Sequence, residues 1–91
     1  MKIAGCIIQN RNVIESNQHT FHASYKGKSI YVSSKHGFGK ARYDHLTRFY
    51  IYVTNVKTEI HDVDIYVDCY KDFHNIRDAI IFALKGACLI K

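Results

Sequence analysis

The chain predicts an α+β fold: an antiparallel sheet of about five strands with a C-terminal helix packed on one face. Three patterns carry the prediction. Residues 19–25 and 29–34 each alternate apolar with polar side chains on either side of Lys26-Gly27-Lys28, the signature of a hairpin. Residues 59–70 alternate longest, with Val63, Ile65, Val67 and Cys69 on one face and Asp62, Asp64, Tyr66, Asp68 and Tyr70 on the other. Ile76, Ala79, Ile80, Ala83 and Leu84 then recur at three- and four-residue spacing, which makes one apolar helix stripe.

The elements follow in order. Residues 2–9 form a compact apolar run and read as a central strand, bounded by the polar stretch 10–18. In the strand 19–25, Phe21, Ala23 and Tyr25 share the inward face. In 29–34, Ile30 and Val32 point one way and Tyr31 the other. Two glycines in residues 35–39 exclude regular structure there and make an exposed loop, and 40–47 continues it or forms a short helix. Residues 48–56 are rich in β-branched and aromatic side chains, hence a strand, and 55–58 turn into the run 59–70. Asp72 is placed to cap the helix, and Gly86 to end it in a left-handed conformation. The apolar tail 87–90 returns to the core or to a sheet edge.

With 91 residues the chain makes one domain, residues 1–91. Apolar residues at 47 % and charged residues at 23 % are the proportions of a folded globular protein rather than a disordered one. The apolar run near the N-terminus is shorter than the roughly 7–15 residues of a secretory signal and the roughly 20 of a membrane helix. A soluble, cytoplasmic protein that does not engage membranes is therefore expected. Cys6, Cys69 and Cys88 are odd in number, widely spaced and set among apolar neighbours. They read as buried reduced thiols, and no cofactor or metal is expected from them.

The net charge of +5 sits in residues 26–48, where Lys26, Lys28, Lys35, Lys40, Arg42 and Arg48 are opposed only by Asp44. His36, Phe38 and Tyr43 lie among these cations. Cations interleaved with flat rings suit phosphate backbones and exposed bases, so Lys26, Lys28, Lys35, His36, Phe38, Lys40, Arg42, Tyr43 and Arg48 are the candidate contact residues. Residues 36–43 also match the RNP1 strand of RNA-recognition motifs at Gly37, Phe38, Gly39 and Tyr43. That fold needs a helix between its first two strands, for which 10–18 is too short and polar, so the likeness stays local. A phosphate loop is excluded because the glycines are two apart and Ala41 follows Lys40.

Two further groupings carry chemistry. Of the six histidines, His36 and His45 lie within the basic segment, where one as base and one as acid would suit metal-free RNA cleavage. Asp62, Asp64 and Asp68 line one strand face. They read as a solvated face that would make the molecule electrostatically bipolar against the basic segment.

No enzyme motif emerges, and the reading is a non-catalytic binding or inhibitor protein whose partner is nucleic acid or the nucleic-acid-binding groove of a nucleoprotein complex. The alternatives are a small ribonuclease using His36 and His45, and a homodimeric protein-interaction domain. In general layout the chain resembles the small phage-encoded anti-CRISPR inhibitors: one short domain opening on Met, rich in Ile, Tyr, Lys and Asn. That resemblance implies a CRISPR surveillance complex as the partner, with the basic patch competing for guide RNA or target DNA.

Overall fold

The computed structural model describes residues 1–35, 43, 45–56 and 64–90. It shows an α+β fold. Five strands form an antiparallel meander in which every strand pairs with its neighbours in sequence: β3 (Val13–Ser16), β4 (Thr20–Tyr25), β5 (Lys28–Ser33), β6 (Thr47–Asn55) and β7 (Ile65–Phe73). The two short strands β1 (Lys2–Ile3) and β2 (Cys6–Ile7) make a separate hairpin, and the helix α1 (Ile76–Gly86) packs on the sheet.

Alternation decides which face meets the helix. Phe21 and Ala23 of β4, Ile30 and Val32 of β5, Phe49, Ile51 and Val53 of β6 and Val67 of β7 all point inward and are buried. Ala79, Ile80, Ala83 and Leu84 of α1 close the core from the other side, and Ile3, Cys6 and Ile8 of the first hairpin join it. Burial of these side chains is the main term holding the layers together.

The β4–β5 connection is the two-residue turn that the glycine pattern suggested. Tyr25 pairs with Lys28, and Lys26 (φ 48°) and Gly27 (φ 76°) both adopt left-handed conformations, as the right-handed strand twist favours. The same geometry corrects the expectation for residues 2–9. Ala4 (φ 51°) and Gly5 (φ 88°) turn the chain back on itself, so the run is a tiny hairpin and not a central strand. The polar stretch 10–18 likewise contains a 3₁₀ turn (Asn10–Asn12) and the edge strand β3, whose side chains are mostly exposed and so leave no alternation to read.

Two other expectations fall at β7. A bulge lies between the pairs Val53–Val67 and Thr54–Ile65, so Ile65 shares the face of Thr54 instead of Val67 and is 56 % exposed. Asp72 does not cap the helix, because β7 runs on to Phe73 and Asp72 pairs across the sheet with Arg48. Asn75 is the cap, accepting from the Asp78 backbone N–H at 2.9 Å. The turn 55–58 and the start of the run 59–70 lie largely outside the described residues.

Gly86 is not the left-handed stop either. Cys88 holds that conformation (φ 60°), with Leu89 N–H donating to the Leu84 carbonyl and Cys88 N–H to that of Lys85. Gly86 ends the helix proper, and a Cβ there would lie 2.6 Å from Val67 Cγ2. Helix propensity alone would favour Gly86→Ala by about 1 kcal/mol. The overlap with β7 should reverse the sign, leaving the variant less stable by about 1 kcal/mol or more in urea unfolding. The tail follows: Ala87 is buried and Leu89 and Ile90 pack against the core without forming a strand. Cys6 is buried, Cys69 half-buried and Cys88 exposed, all three free, so burial of every thiol does not hold.

Candidate functional site

The face of the sheet away from α1 carries most of the aromatic side chains that the core does not use. Odd-numbered residues of β6 point into the core, so Arg48, Tyr50 and Tyr52 point out. The register aligns Tyr52 with Tyr31 of β5 and Asp68 of β7, and Tyr50 with Ser33 and Tyr70. Tyr31 in turn faces His22 of β4. The rings meet: His22–Tyr31 at 5.5 Å, Tyr31–Tyr50 at 6.3 Å, Tyr50–Tyr52 at 6.0 Å and Tyr50–Tyr70 at 5.1 Å between centroids. Such contacts fix ring positions in advance of any ligand. No described element of secondary structure covers this face, and Tyr70 is 56 % exposed.

Polar groups anchor the rings. The Tyr50 hydroxyl donates to Asp68 Oδ1 at 2.8 Å, and at the hairpin end the Tyr66 hydroxyl donates to Asn55 Oδ1. Beneath them the Thr20 and Ser33 hydroxyls share a buried bond of 3.1 Å. Burial, then the bond to Asp68 and its charge, push the Tyr50 phenol from 10.0 up to about 12. The sign follows from linkage: the unfolded chain releases this proton first, so the stability Tyr50 contributes is complete below about pH 10 and is lost as pH rises toward about 12. A phenolate absorbance titration should show one tyrosine ionising only near pH 12, and Asp68→Asn should bring it back toward 10.

The described basic residues among those nominated from sequence lie at two places. Lys26 and Lys28 lie at the β4–β5 turn, whereas Lys35, Tyr43 and Arg48 lie at the opposite end of β5, about 20 Å away for a six-residue strand. Lys28 Nζ sits 5.0 Å from the Tyr66 ring centroid and Lys26 Nζ 5.4 Å from that of Tyr25. Lys35 pairs with Glu15 at 3.1 Å, an exposed contact worth little. It nevertheless lowers the Glu15 carboxyl. Arg48 Nε reaches Asp72 Oδ1 at 2.9 Å, which raises the guanidinium further. His36, Phe38, Lys40 and Arg42 lie outside the described residues.

This arrangement revises the bipolar picture. Asp68 and Asp72 share the open face with Arg48 and the tyrosines, and Glu15 pairs with Lys35 at its other edge, so acids and bases interleave. Asp62 is outside the described residues. Among the described ones, no three His, Cys, Asp or Glu side chains stand together as a metal would require.

His45 stacks between Tyr43 (5.8 Å) and His74 (5.4 Å), while its sequence-nominated companion His36 is undescribed. His74, His19 and Phe49 are among the residues that line a cleft of ≈ 360 Å³ at this end of the sheet. No described helix is long and apolar enough to cross a membrane.

No family model matches the chain. Neither a curated protein nor a solved structure matches it at a significant level.

Proposed function

We propose that the protein is a non-catalytic binding module that holds single-stranded nucleic acid across the sheet face turned away from α1. The observation that carries this reading is the tyrosine array of Tyr31, Tyr50, Tyr52 and Tyr70 on three adjacent strands. Every base has a flat face, and stacking on an aromatic ring is worth about 1–3 kcal/mol per base without demanding a sequence. The distribution of charge gives the strand a side. Acids flank the tyrosines on β7, whereas the outward positions of β4 and β5 that are not buried, His22, Ser24, Ser29 and Tyr31, carry no acid. Phosphates are repelled from Asp68 and Asp72 and run over the β4–β5 half, toward Lys28 at one end and Lys35 at the other.

Binding of short uridine and thymidine oligomers across a salt series tests the proposal. The expected result is retention of intact oligomer with an affinity that falls as salt rises. Absence of binding at low salt, or cleavage of the oligomer, would remove it.

A second reading has its own support in Glu15, Asp68 and Asp72. A face of tyrosines and carboxylates also suits a basic, nucleic-acid-binding groove on a nucleoprotein. That is the blocking role expected of an anti-CRISPR-type inhibitor facing a surveillance complex. It predicts stable co-elution with such a complex and indifference to free oligomer.

A further inference from the structure

The two edges of the sheet are unequal. β3 is four residues long and bulged around Ile14, features that discourage pairing with another chain. β7 runs for nine residues, is regular from Val67 to Phe73, and has no described partner along its outer edge. Its bulge is confined to the Ile65–Val67 end, which leaves the rest of the edge regular. The chain contains no proline, and Lys71, the one lysine on the strand, lays its ammonium 4.5 Å from the Phe82 ring centroid on the helix side. Beside this edge lies an apolar recess of ≈ 290 Å³ between Phe73, Ile81 and Phe82, carrying one acid and one base, Asp78 and Lys85.

A row of unpaired backbone N–H and C=O groups is a template for another strand. The pattern of charge on β7 says which strand fits. Two copies of β7 run antiparallel can meet in several registers, and directly opposed like charges are unfavourable. Centred on Asp68, the pairing sets Asp68 against its own copy; centred on Tyr70, it sets Asp68 against Asp72 twice; centred on Lys71, it sets two ammoniums together. Centred on Val67, it opposes no like charges within the strand but runs half its ladder into the bulge; centred on Cys69, it sets Asp68 against Tyr70, Val67 against Lys71 and Tyr66 against Asp72, with no like charges opposed and the regular stretch at its centre.

We infer that β7 pairs with β7 of a second copy about a two-fold axis at Cys69, joining two five-stranded sheets into one continuous sheet. Opposed residues in an antiparallel pair share a face. Both open faces therefore lie on the same side and both helices on the other, and the tyrosine platform is doubled. The pairing is a property of the edge and stands whether or not the face binds nucleic acid, so its test needs no oligomer.

The test is sedimentation equilibrium of the full chain from micromolar to millimolar concentration, together with thiol cross-linking of a Cys88→Ser variant, in which Cys6 remains buried. Opposed cysteines in either type of antiparallel pair have Cα separations compatible with a disulfide. Because burial pushes the Cys69 thiol up, oxidation with copper–phenanthroline and oxygen is run at mildly alkaline pH. The expected results are a doubling of mass with concentration and a disulfide between the two Cys69 residues, identified by peptide mapping. Asp68→Lys combined with Tyr70→Lys, both exposed positions, should stay monomeric with an unchanged circular dichroism spectrum. A monomer throughout the range overturns the inference. So does a double-lysine variant that dimerises as the parent does, or a dimer in which Tyr70→Cys cross-links at position 70 and Cys69 does not.

Discussion

Phe49→Ala is expected to cost the fold about 3–5 kcal/mol, the range for removing a fully enclosed aromatic side chain. Phe49 is 1 % exposed in the second strand from the edge, beneath α1, and its ring packs at 6.3 Å from Phe73, which in turn meets Phe82 at 5.6 Å. Deleting it removes the β6 end of a ring chain that runs through Phe73 of β7 to Phe82 of the helix. It also forms part of the wall of the cleft beside His19 and His74, so solvent can reach the space that alanine leaves. A domain of this size has a total stability of about 5–15 kcal/mol. The loss should therefore appear in urea unfolding as a greatly lowered midpoint at nearly unchanged slope. A shift below about 1 kcal/mol would mean that the layer packing described above is not what holds the helix to the sheet.

The second large effect is on binding. Tyr52→Ala and Tyr70→Ala should each weaken affinity for a single-stranded oligomer by about 1–3 kcal/mol, or about 5- to 150-fold. Tyr52 lies between Tyr31 and Asp68 in the register, and Tyr70 stands opposite Tyr50. Their phenylalanine counterparts keep the flat ring and should retain most of the affinity, which separates stacking from hydrogen bonding by the hydroxyl. The salt slope should be unaltered in the alanine variants, because no phosphate contact is removed. Lys28→Ala should do the reverse, with a shallower slope and a smaller loss at high salt. Isothermal titration at several salt concentrations distinguishes the two patterns. If alanine at Tyr52 and Tyr70 leaves affinity unchanged, the rings are not the platform.

Much of this architecture is legible in the residue pattern wherever a strand is buried on one side only. β4, β5 and β6 announce themselves because Phe21, Ala23, Ile30, Val32, Phe49, Ile51 and Val53 fall at every second position. The helix does so because its stripe is narrow and regular. Legibility ends where the period breaks. At β7 the bulge inserts one residue, and from there the alternation assigns Ile65 to the wrong face. In β3 only Val13 is even partly buried, so an edge strand looks like a polar loop. Near the N-terminus, Gly5 inside an apolar run marked a turn between two-residue strands.

The site was legible only in pieces. Alternation already set Tyr31, Tyr66 and Tyr70 opposite the core residues of their strands. That Tyr31, Tyr50, Tyr52 and Tyr70 converge depends on β5, β6 and β7 being neighbours in that order, which pairing register decides and spacing does not. The basic segment is divided for the complementary reason. Residues close in sequence are separated by the length of a strand once the chain turns at Lys26 and Gly27, so among the described residues Lys26 and Lys28 stand apart from Lys35 and Arg48.

Chemical-shift mapping of the labelled protein during titration with a short uridine oligomer tests the sheet-face assignment most directly. The aromatic resonances of Tyr31, Tyr50, Tyr52 and Tyr70 and the amides of β5 and β6 should move together and saturate, while those of α1 residues such as Arg77 and Lys85 stay in place. Shifts centred on the helix, or none at millimolar oligomer, would contradict the assignment.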